Sequence, residues 1–157
     1  MKVRLSYFYQ IRNFKPNMIP MSTTLSDPLW YHNFEDNTHI FKDKRGVLNG
    51  LRLLPIITQA KKYAAAACPE CVEKNPATCY FLKQYRQLLE EIDFDKMMKG
   101  IITYIEDYCK RNKIKEEPIA VLIVYEAPDN KCSERASLID YFNSHGVECK
   151  ELDYPIE

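Results

Sequence analysis

The chain has 157 residues, 46% of them hydrophobic, which is enough to bury one real core and too little for two developed ones. Lys plus Arg and Asp plus Glu each number 22, so the net charge is zero and no long-range field draws the protein to a nucleic acid duplex or an anionic bilayer. The opening MKVRLSYF lacks the apolar core of a secretory signal, and no run reaches about 18 apolar residues, so a soluble cytoplasmic protein with no membrane partner is expected; composition is silent on oligomeric state.

In chain order, KVRLSYFY alternates around Val3, Leu5 and Tyr7 and reads as a first strand. Met18 to Ser22 reads as a second, opening into a turn-rich loop that ends at Asp27 and Pro28. From Leu29 to Pro55 no period is sustained. The excursion is taken to run to about residue 80, interrupted only by the helix-prone IITQAKKYAAAA. Phe81, Tyr85, Leu88 and Ile92 fall at helical spacing, as do Met98, Ile101, Ile102, Ile105 and Cys109, which predicts helices over Thr78 to Glu91 and Asp95 to Asn112. IAVLIVY is apolar at every position, like a strand covered on both faces. KCSERASLIDYFNSHG predicts a helix with Leu138, Ile139 and Phe142 inward and Gly146 as its stop, and VECKEL predicts a last strand. The pattern is that of a single α/β domain over 1–157, a small Rossmann-like three-layer sandwich with a mostly parallel sheet of about four strands.

In open parallel sheets, ligands sit outside the carboxyl ends of the strands. That rule collects Ser6 and Tyr7 after the first strand, and Ser22 and Thr23 after the second. It also collects Glu126, Asn130, Cys132 and Ser133 between the third strand and its helix, where free N–H groups favour an anion and Arg135, one turn in, supplies a fork. Asp27 lies beside them in the loop, Trp30 and Tyr31 offer stacking surfaces, and the Asn49–Gly50 turn brings Arg52 back over the pocket. Equally open at this stage is a plain helix cap by Asp129 or Asn130, with Arg135 paired to Glu134 or Asp140 on a solvated face.

Six cysteines in a reducing compartment point to metal, catalysis or burial rather than disulfides. Cys68, Cys71 and Cys79 have the spacing of half a zinc knuckle, but a fourth ligand would have to come from His32, His39 or Glu70 through folding. A structural zinc and plain reduced cysteines in a loop both fit. Cys132 beside a helix start suits a thiolate nucleophile, with Glu126 as acid or base, yet no histidine neighbours it in sequence. His145 reads as a surface residue compensating a helix dipole.

SYF with Arg12, IPMSTTLSDPLWY, VYEAPDNKCSER and YFNSHGVECKEL together resemble the bacterial and phage family known as domain of unknown function 488. The commoner family motif is Cys-His-Arg, whereas here Ser133 and Glu134 separate Cys132 from Arg135 and the histidine is missing, so the chain looks like a variant branch. The resemblance implies a compact Rossmann-like fold, a nucleotide-related role and Arg12 among the site residues. The expected function is binding of a phosphorylated, nucleotide-derived small molecule at the carboxyl edge of the sheet, in the sensing or sequestering of a signal during phage–host conflict. Two alternatives stand beside it: a thiol-dependent hydrolase or transferase acting through Cys132 on a nucleotide-like substrate, and an interaction module docking through the aromatic loop from Leu29 to Arg45.

Overall fold

The computed structural model describes residues 2–23, 79–124 and 134–156. Within them the order is β1 (Lys2–Tyr7), a 3-10 helix (Phe8–Asn13), β2 (Met18–Ser22), α1 (Tyr80–Glu90), α2 (Phe94–Asn112), β3 (Ile119–Val124), α3 (Arg135–Ser144) and β4 (Cys149–Glu151). The four described strands form one sheet in the order β2-β3-β1-β4, and every neighbouring pair is parallel. Helices pack around this sheet, which makes the fold a small Rossmann-like α/β arrangement. The irregular excursion at about 29–80 lies outside the described residues except at its last two positions.

β1 and β3 are the two inner strands, in register from Lys2 opposite Ile119 to Tyr7 opposite Val124. Ala120 to Val124 are buried without a break, as an apolar strand covered on both faces should be. β1 departs from the alternation its sequence suggests, because Arg4 and Ser6 are buried along with Val3 and Leu5. Its second face is covered too, so polar residues there must find partners inside the protein. β2 is the outermost described strand on its side of the sheet, and Thr23 donates its N–H to Ile123 O at 3.0 Å. By the alternation along a strand, the position of Pro20 points away from β3, where the missing N–H breaks no ladder bond. β4, at the other edge, is closed by a side chain: the Asn143 amide donates to Cys149 O at 2.9 Å and accepts from Cys149 N at 2.8 Å. Both outward backbone groups of Cys149 are thereby satisfied.

Two connections skip a strand. β1 reaches β2 past β3, and β3 reaches β4 past β1 by way of α3. Crossovers of the usual right hand that travel in opposite directions lie on opposite faces, which agrees with the burial of both faces of the inner strands. The connections leaving β1 and β3 diverge, and in open parallel sheets such a divergence at the carboxyl ends is where ligands are usually found.

In α2 and α3 the buried stripes are turned from those the sequence suggests. In α1 the described buried residues are Leu82, Tyr85 and Leu89; Tyr85 matches the expected stripe, while the side chains of Phe81 and Leu88 lie outside the described set. In α2 the core face is Phe94, Met97, Ile101, Ile105 and Tyr108, turned so that Ile102 is exposed and Met98 and Cys109 are only half-buried. The helix starts one residue before the expected Asp95 because Asp93 caps it, accepting Lys96 N–H at 3.1 Å. α3 turns Leu138, Tyr141 and Phe142 inward and leaves Ile139 half-buried.

Two helices end in the same reversed-turn arrangement. After α2, Ile114 N–H reaches Cys109 O at 2.9 Å around Lys113 at φ 56; after α3, Val147 N–H reaches Phe142 O at 3.0 Å around Gly146 at φ 82. Glycine occupies the second left-handed position without strain, whereas lysine at the first costs about 1 kcal/mol or more. A Cβ at Gly146 would meet nothing within 4 Å, so only backbone strain opposes a side chain there. Gly146→Ala should lose about 1–2 kcal/mol in urea unfolding, and Lys113→Gly should gain no more than about 1 kcal/mol. Equal effects at the two sites would contradict this account of the helix ends.

Candidate functional site

Apart from Arg4, the polar strand side chains buried in this apolar sheet gather at its carboxyl edge. Ser6, next to last in β1, is fully buried, and its Oγ lies 2.5 Å from the Tyr154 hydroxyl. The segment after β4 reaches that position because Leu152 N–H continues the ladder to Leu5 O at 2.8 Å. Tyr7 meets the Tyr154 ring edge to face at 5.8 Å, and Gln10 Nε2 donates to the Tyr7 hydroxyl at 3.1 Å. At the end of β2, Thr23 donates both its N–H and, at 2.9 Å, its hydroxyl to Ile123 O. Ser22 is buried beside it.

Charge enters through one pair. Arg135, the first residue of α3, is 6% exposed, and its Nε donates to Glu151 Oε1 at the end of β4. Burial pushes the Glu151 carboxyl above its ordinary value, and the adjacent guanidinium only partly offsets that rise. Burial likewise raises the Tyr154 hydroxyl to about 12, with the Ser6 hydrogen bond and Arg135 pulling it down and the Glu151 and Tyr7 charges adding to the rise. Tyr154 is therefore a neutral hydroxyl at physiological pH. The mutual influence of Ser6, Tyr7, Arg135, Glu151 and Tyr154 makes them one cluster.

The structure thus brings Ser6, Tyr7 and Arg135 to one edge, and it places Ser22 and Thr23 on the same edge at β2. Two expectations change. Arg135 opens α3 rather than sitting one turn in, and its partner is Glu151 rather than Glu134 or Asp140; Asp140 pairs instead with Arg86 of α1 at 3.0 Å. Arg12 lies on the exposed part of the 3-10 helix, its guanidinium 4.1 Å over the Tyr9 ring and its Nε on Tyr9 O at 3.0 Å. Asp27, Trp30, Asn49, Arg52, Glu126, Asn130, Cys132 and Ser133 lie outside the described residues, as do Cys68 and Cys71. Cys79 is a buried free thiol just before α1, and no cluster of metal-ligating side chains occurs among the described residues. His145 is held rather than merely exposed: its ring stacks on Phe94 at 4.3 Å, and Nε2 lies 3.8 Å from Glu90.

Glu151 and Tyr154 escaped the sequence reading. Glu151 stands at the carboxyl end of the last strand, where the same strand-end rule points. Tyr154 carries no local signal, since its partner Ser6 is 148 residues away. No described helix is long and apolar enough to cross a membrane. Comparison of the chain with family models, curated proteins and solved structures finds no match.

Because the folded protein holds the Glu151 proton to higher pH than the unfolded chain does, ionising this carboxyl costs stability as pH rises above its ordinary value of 4.5. The stability of the wild type relative to Glu151→Gln should therefore fall between pH 4.5 and pH 7 in urea unfolding. A difference that grows with pH would reverse the assignment. Arg135→Met, which leaves the carboxylate without its cation, should cost about 2–4 kcal/mol at pH 7, below the full cost of breaking a buried pair because Glu151 is 32% exposed.

Proposed function

We propose that the protein binds a phosphorylated, nucleotide-derived small molecule at the carboxyl edge of its sheet. The observation that carries this reading is the Arg135–Glu151 pair beside the Ser6–Tyr154 contact, at the strand ends next to the divergence of the connections. A buried ion pair is no better for stability than a well-packed apolar pair of similar volume, so stability alone gives no reason for it at this edge. The rule for open parallel sheets gives one, because the same edge is where a ligand would enter. The resemblance to the domain of unknown function 488 family, for which a nucleotide-related role is suspected and no reaction is established, points the same way.

Thermal unfolding in the presence of nucleoside mono-, di- and cyclic phosphates and ADP-ribose tests the proposal. A true ligand at 100 times its dissociation constant should stabilise the fold by about 2.7 kcal/mol, with a saturable concentration dependence. Tyr154→Phe should weaken that stabilisation while preserving the fold, since it removes one hydroxyl and keeps the ring against Tyr7. Absence of saturable stabilisation across the series would refute nucleotide binding.

A further inference from the structure

Although the chain is neutral overall, its first 26 residues hold Lys2, Arg4, Arg12 and Lys15 and no carboxylate. Arg12 and Lys15 follow β1 and are exposed. One turn before Arg12 stands Tyr9, at 58% the most exposed large hydrophobic side chain among the described residues. In a 3-10 helix three residues complete a turn, so positions 9 and 12 fall on one face. The Arg12 guanidinium accordingly lies 4.1 Å over the Tyr9 ring, fixed there by its Nε bond to Tyr9 O at 3.0 Å. Among the described residues no carboxylate pairs with this guanidinium, and neither Nη has a hydrogen bond. One face of the ring is thus covered by a fixed cation, and the exposed area belongs to the other.

The helix that carries this platform is tied to the strand end. Gln10 donates to the Tyr7 hydroxyl, and Asn13 donates to Gln10 Oε1, each at 3.1 Å. Tyr9 follows Tyr7 by two residues, which keeps its Cα within about 7 Å of the end of β1. The nature of the occupant is set by what the surface lacks. An apolar protein partner would cover the ring but would enclose Arg12 without an anion, at a cost in desolvation. A nucleotide brings a flat ring and a negative charge in one molecule, and every base has a face suited to stacking. We infer that the open face of Tyr9 stacks the base of the ligand, with Arg12 as the positioning residue that holds the ring from behind. This rests on the proposed nucleotide binding and adds a base subsite to it.

Calorimetric titration with nucleoside mono-, di- and cyclic phosphates and ADP-ribose, and with ribose 5-phosphate as the control that lacks a base, tests the assignment. A nucleoside monophosphate that binds should do so about tenfold or more tighter than ribose 5-phosphate. Tyr9→Leu should weaken the tightest nucleotide about fivefold or more without changing the affinity for ribose 5-phosphate, and Tyr9→Trp should restore binding. Because Tyr9 is exposed, both variants should unfold without ligand at the wild-type temperature. Equal affinity of the tightest nucleotide for wild type and Tyr9→Leu overturns the base subsite and leaves nucleotide binding intact. So does an equal loss for that nucleotide and for ribose 5-phosphate. No saturable binding of any nucleotide to the wild type defeats both readings together.

Discussion

The constraint on which the rest depends is the complete enclosure of β1 and β3. With strands on either side and residues buried on both faces, neither has a surface on which to leave a polar group. β3 meets this by being apolar from Ile119 to Val124. β1 does not: Arg4 is 8% exposed and Ser6 fully buried. Arg4 settles its charge by giving an N–H to Val3 O at 2.8 Å, with Glu148 4.0 Å away. Ser6, deeper along the strand, needs Tyr154. The path of the segment after β4 is therefore tied to a requirement set in β1, because an unmet buried hydroxyl would cost on the order of 1–3 kcal/mol.

Sequence pattern was a good guide wherever burial was the whole story. Met18 to Ser22 forms a strand over the span expected from its composition, and IAVLIVY forms an inner strand because every residue can face a covered surface. Gly146 stops α3 because the chain there needs a positive φ, a local demand visible in one residue. Pattern misled where two faces of a helix competed. In α2 the isoleucines at 101, 102 and 105 share a broad apolar arc, and only packing decides that Phe94, Met97 and Tyr108 complete the buried stripe while Ile102 faces out. The aromatic contacts of Phe94 with Tyr141 and Phe142, at 5.5 and 5.7 Å, supply that decision from a different helix.

The candidate site was legible by place more than by partner. A rule about strand ends needs only the positions of strands, so Ser6, Tyr7, Ser22 and Thr23 could be collected from local pattern. Pairing requires the order of strands in space. Arg135 has acidic neighbours in sequence at Glu134 and Asp140, and nothing local distinguishes either from Glu151. Placing β4 beside β1, with α3 crossing between β3 and β4, brings Glu151 to the start of the helix and makes the distant carboxylate the near one.

That same crossing explains why the Arg135–Glu151 pair can be held in one geometry. α3 runs back against β4, and the two are joined at both ends: Arg135 to Glu151 near the carboxyl edge, and the Asn143 amide to Cys149 near the opposite one. β4 has only three residues and pairs with β1 alone, so its ladder would be a weak support for a buried charge. The amide clamp adds a second, two-bond attachment to a helix anchored by Leu138 and Phe142, both fully buried. Side chains mounted on such tied elements keep little conformational freedom of their own. An arginine neutralised and immobilised in this way holds its carboxylate partner in one place, so the geometry of this edge is set jointly by the start of α3 and the end of β4.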